Sequence, residues 1–265
     1  MTGPLADICV NLLNGQFNSD RADVIARAKS NRVAFMAITA TDLDSTRTAQ
    51  TQLEPGFSVC TAGIHPHDIG TAEPDWLSQL RDLAQHPGVR AIGETGLDFN
   101  RNYSSQESQL VGFNAQIELA IELHKPLFVH DRESDGEVLN CLSRHRNLPP
   151  VVVHCFTGSE DELDGYLAAG FYIGITGWLC DQRRGQPLRD IVTRIPLERL
   201  MIETDAPFLR PHNAPPNCVT APVKRRNEPA LLSYVVDVLA ALYQRPADEI
   251  AAATYNNAIQ FFGAP

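Results

Sequence analysis

Five residues that can bind a metal ion or move a proton each stand at the end of a short apolar run. They are His65 in GIHPHD, Glu94 in IGETGLDF, His130 in PLFVHDR, His154 in VVVHCFTG and Asp205 in IETDAPF. Imidazole and carboxylate groups together suit Mg, Mn, Zn or Fe, and no thiolate among them narrows the choice. A bound divalent cation lowers the pKa of its water toward ~7 and polarises a phosphoryl or carbonyl oxygen. Two histidines with two carboxylates therefore predict a divalent metal site, and Asp205 is placed to act as its base.

The runs that carry these residues belong to a set of eight, each about 4–7 residues long, as is typical of buried strands. The eight runs are residues 7–13, 33–39, 58–64, 89–94, 126–130, 151–154, 171–176 and 199–203. Because stretches with helical spacing separate them in a chain of 265 residues, they predict a (β/α)8 TIM barrel, whose usual length is ~250 residues. A doubly wound sheet also alternates strands and helices, but eight regular units favour closure. In such a barrel the strand ends build the active site, so we expect the five residues to converge.

Helix signals occupy the gaps between the runs. Ser104 and Glu107 have the spacing of a capping box ahead of apolar residues that repeat every three or four positions. Ser159 begins another predicted helix, which ends near Gly170. Three earlier helices are predicted at residues 20–29, 42–53 and 75–86, and two more after the last strand at residues 229–243 and 246–262. We therefore expect a single α/β domain over residues 1–265, a barrel with extra C-terminal helices.

The composition is typical of a folded protein in a reducing compartment. The chain has 43% apolar and 20% charged residues, and 22 basic against 32 acidic residues give a net charge of −10. Six cysteines without a CxxC motif argue against a disulfide scaffold. No apolar stretch approaches the ~18 residues of a membrane span, and the N-terminus lacks the basic region of a signal peptide. We expect a cytoplasmic enzyme without membrane association, and a monomer, because one closed barrel needs no partner.

Eight segments occur in the order found in the TatD family of metal-dependent deoxyribonucleases. They are DICVNL, GIHPHD, AIGETGLDFNRN, LFVHDR, VVHCFTG, YIGITGWLCDQRRG, IETDAPFL and RRNEPALL. The chain resembles this family from about residue 7 to residue 263. The resemblance implies a TIM barrel of the amidohydrolase superfamily and a Mg-dependent nuclease, with Mn or Zn as other candidate ions. It further implies 3′→5′ exonuclease action on the ends of single-stranded DNA or RNA, and a part in the repair of oxidised DNA.

The resemblance also implies roles for the five residues. Glu94, His130 and His154 match the family's metal ligands. Asp205 matches the acid beside the metal, which would orient or deprotonate the attacking water. His65 matches a histidine near the scissile phosphate or the metal. On this basis Glu94, Asp205 and His65 are the catalytic candidates, and Asp205 joins the three ligands around the ion.

One departure from the family pattern concerns the first strand. Many relatives begin with an HxH pair that holds a second metal, whereas Cys9 and Asn11 occupy those places here. One thiol and one amide make a poor cage for a hard ion. We therefore expect a single firmly held ion.

Basic residues gather in loops that follow the predicted strands or lead into the C-terminal helices. The candidates for phosphate binding are Arg101, Arg132, Arg183, Arg184 and Arg226, together with Lys224 and Arg225. Guanidinium groups bind phosphate through two parallel hydrogen bonds. The acidic net charge disfavours a sequence-blind coat for nucleic acid, but it is compatible with an enzyme whose arginines line one cleft. Three aromatic residues adjoin the same loops and would either stack on bases, at ~1–3 kcal/mol each, or pack in the core. They are Phe99, Phe156 and Trp178.

Two other functions remain open to the sequence. A metal-dependent amide or ester hydrolase would share the barrel and the ligand set, but its turnover of a small neutral substrate would not weaken with salt as strand binding does. A non-catalytic binding protein would have no need of metal ligands. We expect Cys155 to pack in the core, because its side chain should point to the opposite face of its strand from His154. His67 has no comparable context, and we expect it either at the surface or behind the residues that bind the ion.

Overall fold

Eight parallel strands form a barrel in the computed structural model, which describes residues 3–219 and 225–265. The strands are β1 (Leu5–Val10), β2 (Val33–Ile38), β3 (Ser58–Ala62), β4 (Val89–Asp98), β5 (Leu127–Arg132), β6 (Val151–His154), β7 (Tyr172–Ile175) and β8 (Leu200–Ile202). Each strand is hydrogen-bonded to the next in chain order. A parallel bridge between Val10 and Ala206 joins β1 to the chain after β8, so the sheet closes into the predicted TIM barrel.

Helices lie between successive strands and after the last one. They are α1 (Arg21–Ser30), α2 (Leu43–Thr51), α3 (Trp76–Ala84), α4 (Gln106–Leu123), α5 (Glu137–Ser143), α6 (Glu160–Ala168), α7 (Gln186–Ile191), α8 (Ser233–Tyr243) and α9 (Ala247–Phe262). Ser159 caps α6 with a capping box to Glu162, and Asp42 caps α2 in the same way with Ser45. The C-terminal pair α8 and α9 confirms the predicted extra helices. Within the described part of the chain, no helix has both the length and the apolar character that crossing a membrane requires.

The last helix seals one end of the barrel. Because side chains alternate along a strand, Phe35 of β2 and Phe128 of β5 face the barrel interior, where both contact the ring of Phe262 on α9 at centroid distances of 5.6 and 6.4 Å. Asn257 on the same helix donates a hydrogen bond to the carbonyl of Leu200, the first residue of β8. α9 therefore covers the amino-terminal ends of the strands, and the site is built at the opposite end.

β4 continues beyond Glu94, where the sequence predicted its end. Its register with β5 shifts around Glu94, and Gly93, with φ +148°, approaches β5 so closely that a Cβ would lie 2.2 Å from the carbonyl oxygen of Phe128. Only glycine fits there. Two glycines within four residues look like a turn in sequence, whereas here they let the strand bend and run on to Asp98. The predicted strand end is therefore wrong, and a second carboxylate reaches the site.

The start of α4 also differs from the prediction. Ser105 caps this helix by accepting a hydrogen bond from the backbone N–H of Ser108, so the capping box predicted for Ser104 and Glu107 is wrong. Ser104 is buried, and its hydroxyl donates to the carbonyl of His67. This bond ties the start of α4 to the loop after β3.

Candidate metal centre

All five residues singled out in the sequence line one cavity at the carboxyl-terminal ends of the strands. The cavity has a volume of about 960 Å³, and these lining residues are His65, Glu94, His130, His154 and Asp205. His130 and His154 are register partners on β5 and β6, so their rings lie side by side. The barrel thus brings together residues that are far apart in the sequence, as the predicted strand ends required.

Glu94 lies at the centre of three histidines. Its Oε1 atom is 3.2 Å from His65 Nε2, 3.0 Å from His130 Nδ1 and 2.8 Å from His154 Nε2. Burial by itself would raise the pKa of Glu94, but the histidines outweigh burial and hold this pKa well below its ordinary value. Glu94 is therefore a carboxylate anion, ready to share its charge with a cation.

His154 is held between two carboxylates, one of which the sequence analysis did not identify. Its Nε2 faces Glu94, and its Nδ1 lies 3.4 Å from Oε2 of Glu203, which is fully buried and accepts the backbone N–H of Cys155 through its other oxygen. Burial would lower the pKa of His154, but the two carboxylates raise it well above its ordinary value. The sequence could have indicated Glu203, because in IETDAPF it stands at the end of a predicted strand, two residues before Asp205, where both side chains would share one face.

Both ring nitrogens of His65 are engaged. Nδ1 accepts a hydrogen bond from the backbone N–H of His67 at 3.1 Å, which places the proton on Nε2, next to Glu94. Burial lowers the pKa of His65, although Glu94 opposes this shift. A neutral His65 therefore donates its hydrogen bond to Glu94 and orients that carboxylate.

The side chains around Glu94 fit a divalent cation. Among the described residues, His130 Nε2, His154 Nδ1 and Glu203 Oε2 are buried polar atoms without a hydrogen-bond partner, and each such atom costs about 1–3 kcal/mol unless something satisfies it. Two sets of side chains each bring three ligand atoms within 4.8 Å of one another. They are His65, Glu94 and His130, and Cys9, His154 and Glu203. Imidazole nitrogens and carboxylate oxygens at this spacing are typical ligands of divalent ions.

Cys9 contributes little to such a site. Its sulfur accepts a hydrogen bond from the Thr39 hydroxyl at 3.1 Å. Burial, reinforced by Asp205 and Glu203, raises the pKa of the Cys9 thiol well above its ordinary value. Because a protonated thiol is a weak metal ligand, the structure favours one ion at Glu94 over a second ion at Cys9.

Asp205 lines the same cavity and is held by Asn11. The amide Nδ2 of Asn11 donates to Asp205 Oδ1 at 2.8 Å, and Oδ2 of Asp205 has no hydrogen-bond partner among the described residues. Burial raises the pKa of Asp205 to about 7, while the nearby His154 opposes the shift. Asp205 is thus a carboxyl group that can exchange a proton near neutral pH.

A second pair at the cavity, His67 and Asp98, was missed by the sequence analysis. His67 Nε2 lies 2.6 Å from Asp98 Oδ2, and the same oxygen is 3.6 Å from His130 Nε2. Burial opposes it, but His130, the backbone N–H of Arg101 and His67 together lower the pKa of Asp98. Of the two positions predicted for His67, the surface and a place behind the ligands, the structure favours the second, because its ring lines the cavity and contacts Asp98.

The predicted phosphate-binding arginines separate into two groups. Arg101, Arg132 and Arg184 line the cavity, and none of the three is buried. Arg183 is exposed but does not line the cavity. Lys224 lies outside the described residues.

Arg226 lies in a different environment from the one that its predicted phosphate-binding role requires. Its side chain is fully buried, and its guanidinium pairs with Asp20 and Glu228 at 2.7 Å each. Arg27 pairs with the same two carboxylates. Because its charge is neutralised within the protein, Arg226 does not serve the phosphate role that the sequence predicted.

Aromatic side chains surround the mouth of the cavity. Trp178 lines it and is half-buried, whereas Phe156 lines it from a buried position and Phe99 packs against the core. Phe208 lines the cavity with 47% of its surface exposed, and Tyr103, 68% exposed, packs edge-on against His67. The last two were not identified in the sequence.

Cys155 also lines the cavity, contrary to the prediction that it packs away from it. Strand β6 ends at His154, and Cys155 adopts φ +47°. The alternation of side chains therefore no longer applies at this position.

Comparison with known proteins gives a consistent result over the full length. The family model described as TatD related DNase matches residues 6–263 of the chain. The protein named 3′-5′ ssDNA/RNA exonuclease TatD in Edwardsiella piscicida is 44% identical over 263 residues, which are 97% of this chain and 99% of that protein. The protein of the same name in Erwinia amylovora is 45% identical over 260 residues, with the same two coverages.

Solved structures resemble the chain as closely in shape. A TatD homolog from Escherichia coli K12 has 28% identity and a TM-score of 0.87 over 98% of each chain. A hydrolase of the TatD family from Entamoeba histolytica has 26% identity and a TM-score of 0.86 over the whole of both chains. A dihydroorotase, at 14% identity and a TM-score of 0.65 over 99% of this chain and 70% of its own, shares the fold alone.

Proposed function

The chain belongs to the TatD related DNase family, and from this premise we propose that it is a metal-dependent 3′→5′ exonuclease of single-stranded DNA and RNA. The observation that carries the proposal is the Glu94 carboxylate, which three histidines surround in a cavity lined also by arginines. A cation together with guanidinium groups suits a reaction that develops negative charge on a phosphate. The reaction is hydrolysis of the terminal phosphodiester at the 3′ end of the strand.

The metal is assigned to Glu94, His130 and His154, with Mg²⁺ as the proposed ion and Mn²⁺ or Zn²⁺ as substitutes. When bound, a divalent cation would lower the pKa of water and polarise a phosphoryl oxygen. Glu203 lies behind His154, and its charge, 3.4 Å from Nδ1, favours the ring orientation that turns Nε2 toward Glu94. His65 does the same for Glu94 through its Nε2 hydrogen. His65 is thus a positioning residue in this scheme.

Asp205 is the proposed general base. A base works best when its pKa lies near the working pH, and burial brings the pKa of Asp205 to about 7. Asn11 fixes Oδ1, so Oδ2 is the oxygen that accepts the proton of the attacking water. Asp205 also adds a carboxylate beside the metal ligands.

The substrate is held by its charge and its bases. Arg101, Arg132 and Arg184 line the cavity, where bidentate guanidinium contacts would hold the phosphates nearest the cleaved bond. Phe208 and Tyr103 are two of the three large apolar side chains that are exposed in the described part of the chain, and both lie at the cavity. Exposed rings beside a basic rim are typical of single-strand binding, in which bases stack without sequence preference.

The proposed function also includes a part in the repair of oxidised DNA. An exonuclease acting from the 3′ end removes damaged terminal nucleotides and leaves an intact end for extension. A substrate that ends in an oxidised 3′ nucleotide tests this element, because the enzyme should release the damaged residue at least as fast as its normal counterpart.

The direct test is cleavage of a 5′-labelled single-stranded oligonucleotide, first in EDTA and then with Mg²⁺ or Mn²⁺ restored. A ladder that shortens from the 3′ end only with metal is the expected result. Glu94→Gln should lower the rate by about 10²–10³-fold or more. Glu118→Gln, an exposed glutamate on α4, is the matched control and should cleave at the wild-type rate.

Other outcomes would overturn the proposal. Full activity of Glu94→Gln would remove the ligand assignment. Intact substrate under every metal, from a folded protein that still binds one ion, would favour an amide or ester hydrolase instead. In that case turnover would not depend steeply on salt concentration, as strand binding does.

A further inference from the structure

A second cavity adjoins the metal cavity. Its volume is about 1,060 Å³, slightly above the ~300–1,000 Å³ typical of ligand pockets. Trp178, Arg184 and Leu209 line both cavities, so the two share a border formed by these residues. The remaining wall is formed mainly by the segment after β8, including Arg210 and His212.

The charge of this second cavity is opposite to that of the protein. Its described lining residues include a single carboxylate, Asp181, and four arginines, which are Arg184, Arg210, Arg225 and the internally paired Arg226. That carboxylate is already engaged by Arg184 Nε at 2.6 Å and by the backbone N–H of Arg183. The chain as a whole carries a net charge of −10, so the positive charge here is a local feature.

Two of the arginines have charges that no carboxylate of the described residues neutralises. Arg210 donates its hydrogen bonds to the carbonyls of Ala214 and Pro215, which hold the side chain in place without cancelling its charge. Arg225 is exposed and forms no ion pair within the described part of the chain. Both groups are therefore available to phosphate oxygens.

The border that the two cavities share carries a flat aromatic ring with a guanidinium beside it. The guanidinium of Arg184 lies 4.9 Å from the centre of the Trp178 ring. The backbone N–H of Trp178 donates to the Thr176 hydroxyl at 3.2 Å, which fixes the short helical turn that carries the indole. A stacked indole and guanidinium offer a base both dispersion and cation–π contact.

We infer that the second cavity binds the nucleotides on the 5′ side of the scissile bond, with phosphates on Arg210 and Arg225 and a base against Trp178. The inference rests on the proposed function and extends it, because a 3′ end at the metal leaves the rest of the strand to pass Trp178. It makes the enzyme selective for strands of several nucleotides over dinucleotides.

Binding measured without cleavage is the first test. Fluorescence anisotropy of a labelled 12-nucleotide oligothymidylate in EDTA reports strand binding by the whole protein. Arg225→Gln should weaken binding about fivefold to tenfold and reduce the slope of log affinity against log salt by about 1. Trp178→Leu should weaken binding by about tenfold, in line with the stacking energy of one base. Arg146→Gln is the matched control, since this exposed arginine precedes β6 at the opposite end of the barrel.

Cleavage then separates this inference from the proposed function. With Mg²⁺, wild-type kcat/KM should be at least about tenfold higher for the 12-nucleotide strand than for a thymidine dinucleotide, and Arg225→Gln should reduce this ratio. Equal kcat/KM for the two lengths, or an Arg225→Gln variant that behaves like Arg146→Gln, overturns the inference and leaves the exonuclease standing. Strand binding that is sensitive to Arg225→Gln in a protein that never cleaves supports the cavity and overturns the exonuclease.

Discussion

Two buried ionic clusters in this barrel differ in whether their charges are matched. At Arg226, two guanidinium groups meet two carboxylates, since Arg226 and Arg27 both pair with Asp20 and Glu228. At Glu94, three histidines share one carboxylate oxygen, and three buried polar atoms nearby have a charged neighbour at 3.4–3.6 Å but no hydrogen-bond partner among the described residues. The charges of the first cluster are matched two against two, and only the Nε hydrogen of Arg226 lacks an acceptor there, whereas at Glu94 three ring systems share one carboxylate oxygen.

This difference identifies the role of each cluster better than residue type does. Arginine and histidine are both candidates for phosphate chemistry, and both clusters are dense and buried. A cluster whose opposite charges are equal in number and paired holds segments of the chain together, here α1 and the segment before α8. A cluster with unsatisfied atoms that face a cavity is suited to a ligand.

The largest expected effect is on the free energy of unfolding, and it tests whether the Arg226 cluster is structural. Arg226→Gln leaves Asp20 and Glu228 without their buried guanidinium, so the free energy of unfolding should fall by about 3–5 kcal/mol. Urea unfolding measures this change. Arg194→Gln is the matched control, because Arg194 also pairs with two carboxylates, Glu160 and Asp164, but on the surface, where the loss should be under about 1 kcal/mol.

Urea unfolding of the two arginine variants distinguishes a structural role of Arg226 from a role in phosphate binding. A large loss of stability for Arg226→Gln alone supports a structural cluster. If the two arginine variants unfold at the same urea concentration while Arg226→Gln alone loses oligonucleotide binding, the cluster is not structural, and the original assignment of Arg226 to phosphate returns.

The same pair of clusters shows what the sequence can and cannot predict. Strand spacing was enough to predict the barrel and the convergence of Glu94, His130 and His154, because parallel strands end at one face. The partner of Arg226 was not predictable, because Asp20 stands about two hundred residues earlier, directly before α1. Local pattern shows that an arginine lies in a loop, but not which charge it meets.

Asp98 shows a second limit, which concerns backbone geometry. The sequence predicts a strand end at Glu94, which leaves the carboxylate four residues later outside the strand. Whether GETG ends a strand or bends it depends on how closely Gly93 and Gly96 approach β5, a tertiary contact. The position of His67 depends on the same contact, since its ring is the partner of Asp98.

A smaller effect is expected on metal affinity, and it tests the assignment of the Glu94 cluster to a metal ion. Glu203→Gln keeps the oxygen that accepts the Cys155 N–H but removes the charge that faces His154 Nδ1. Loss of such an orienting carboxylate should weaken metal affinity by about 10–100-fold. Calorimetric titration with Mn²⁺ measures this affinity without relying on turnover. Glu118→Gln is again the control, and unchanged affinity in Glu203→Gln would show that His154 needs no support from behind.

The smallest expected effect is on how the stability provided by the Arg226 cluster depends on pH. Hydrogen bonds from Arg226 and Arg27 lower the pKa of Asp20 in the folded protein, although partial burial opposes them. The unfolded chain, with an ordinary aspartate pKa of about 3.9, therefore binds a proton before the folded protein does as the pH falls. The stability that Asp20 contributes is present above about pH 4 and is lost as the pH falls through the folded pKa.

Asp20→Asn removes this titration, so its deficit in the free energy of unfolding relative to wild type should be largest near pH 6 and shrink toward pH 3. Urea unfolding at pH 6, 5, 4 and 3 gives the two curves. Asp44→Asn is the control, because this carboxylate is 93% exposed beside Arg47, and its curve should stay close to wild type throughout. A deficit for Asp20→Asn that does not change with pH would mean that Asp20 contributes shape rather than charge, and the contrast between a charge-matched cluster and an open one would then rest on Arg226 and Glu228 alone.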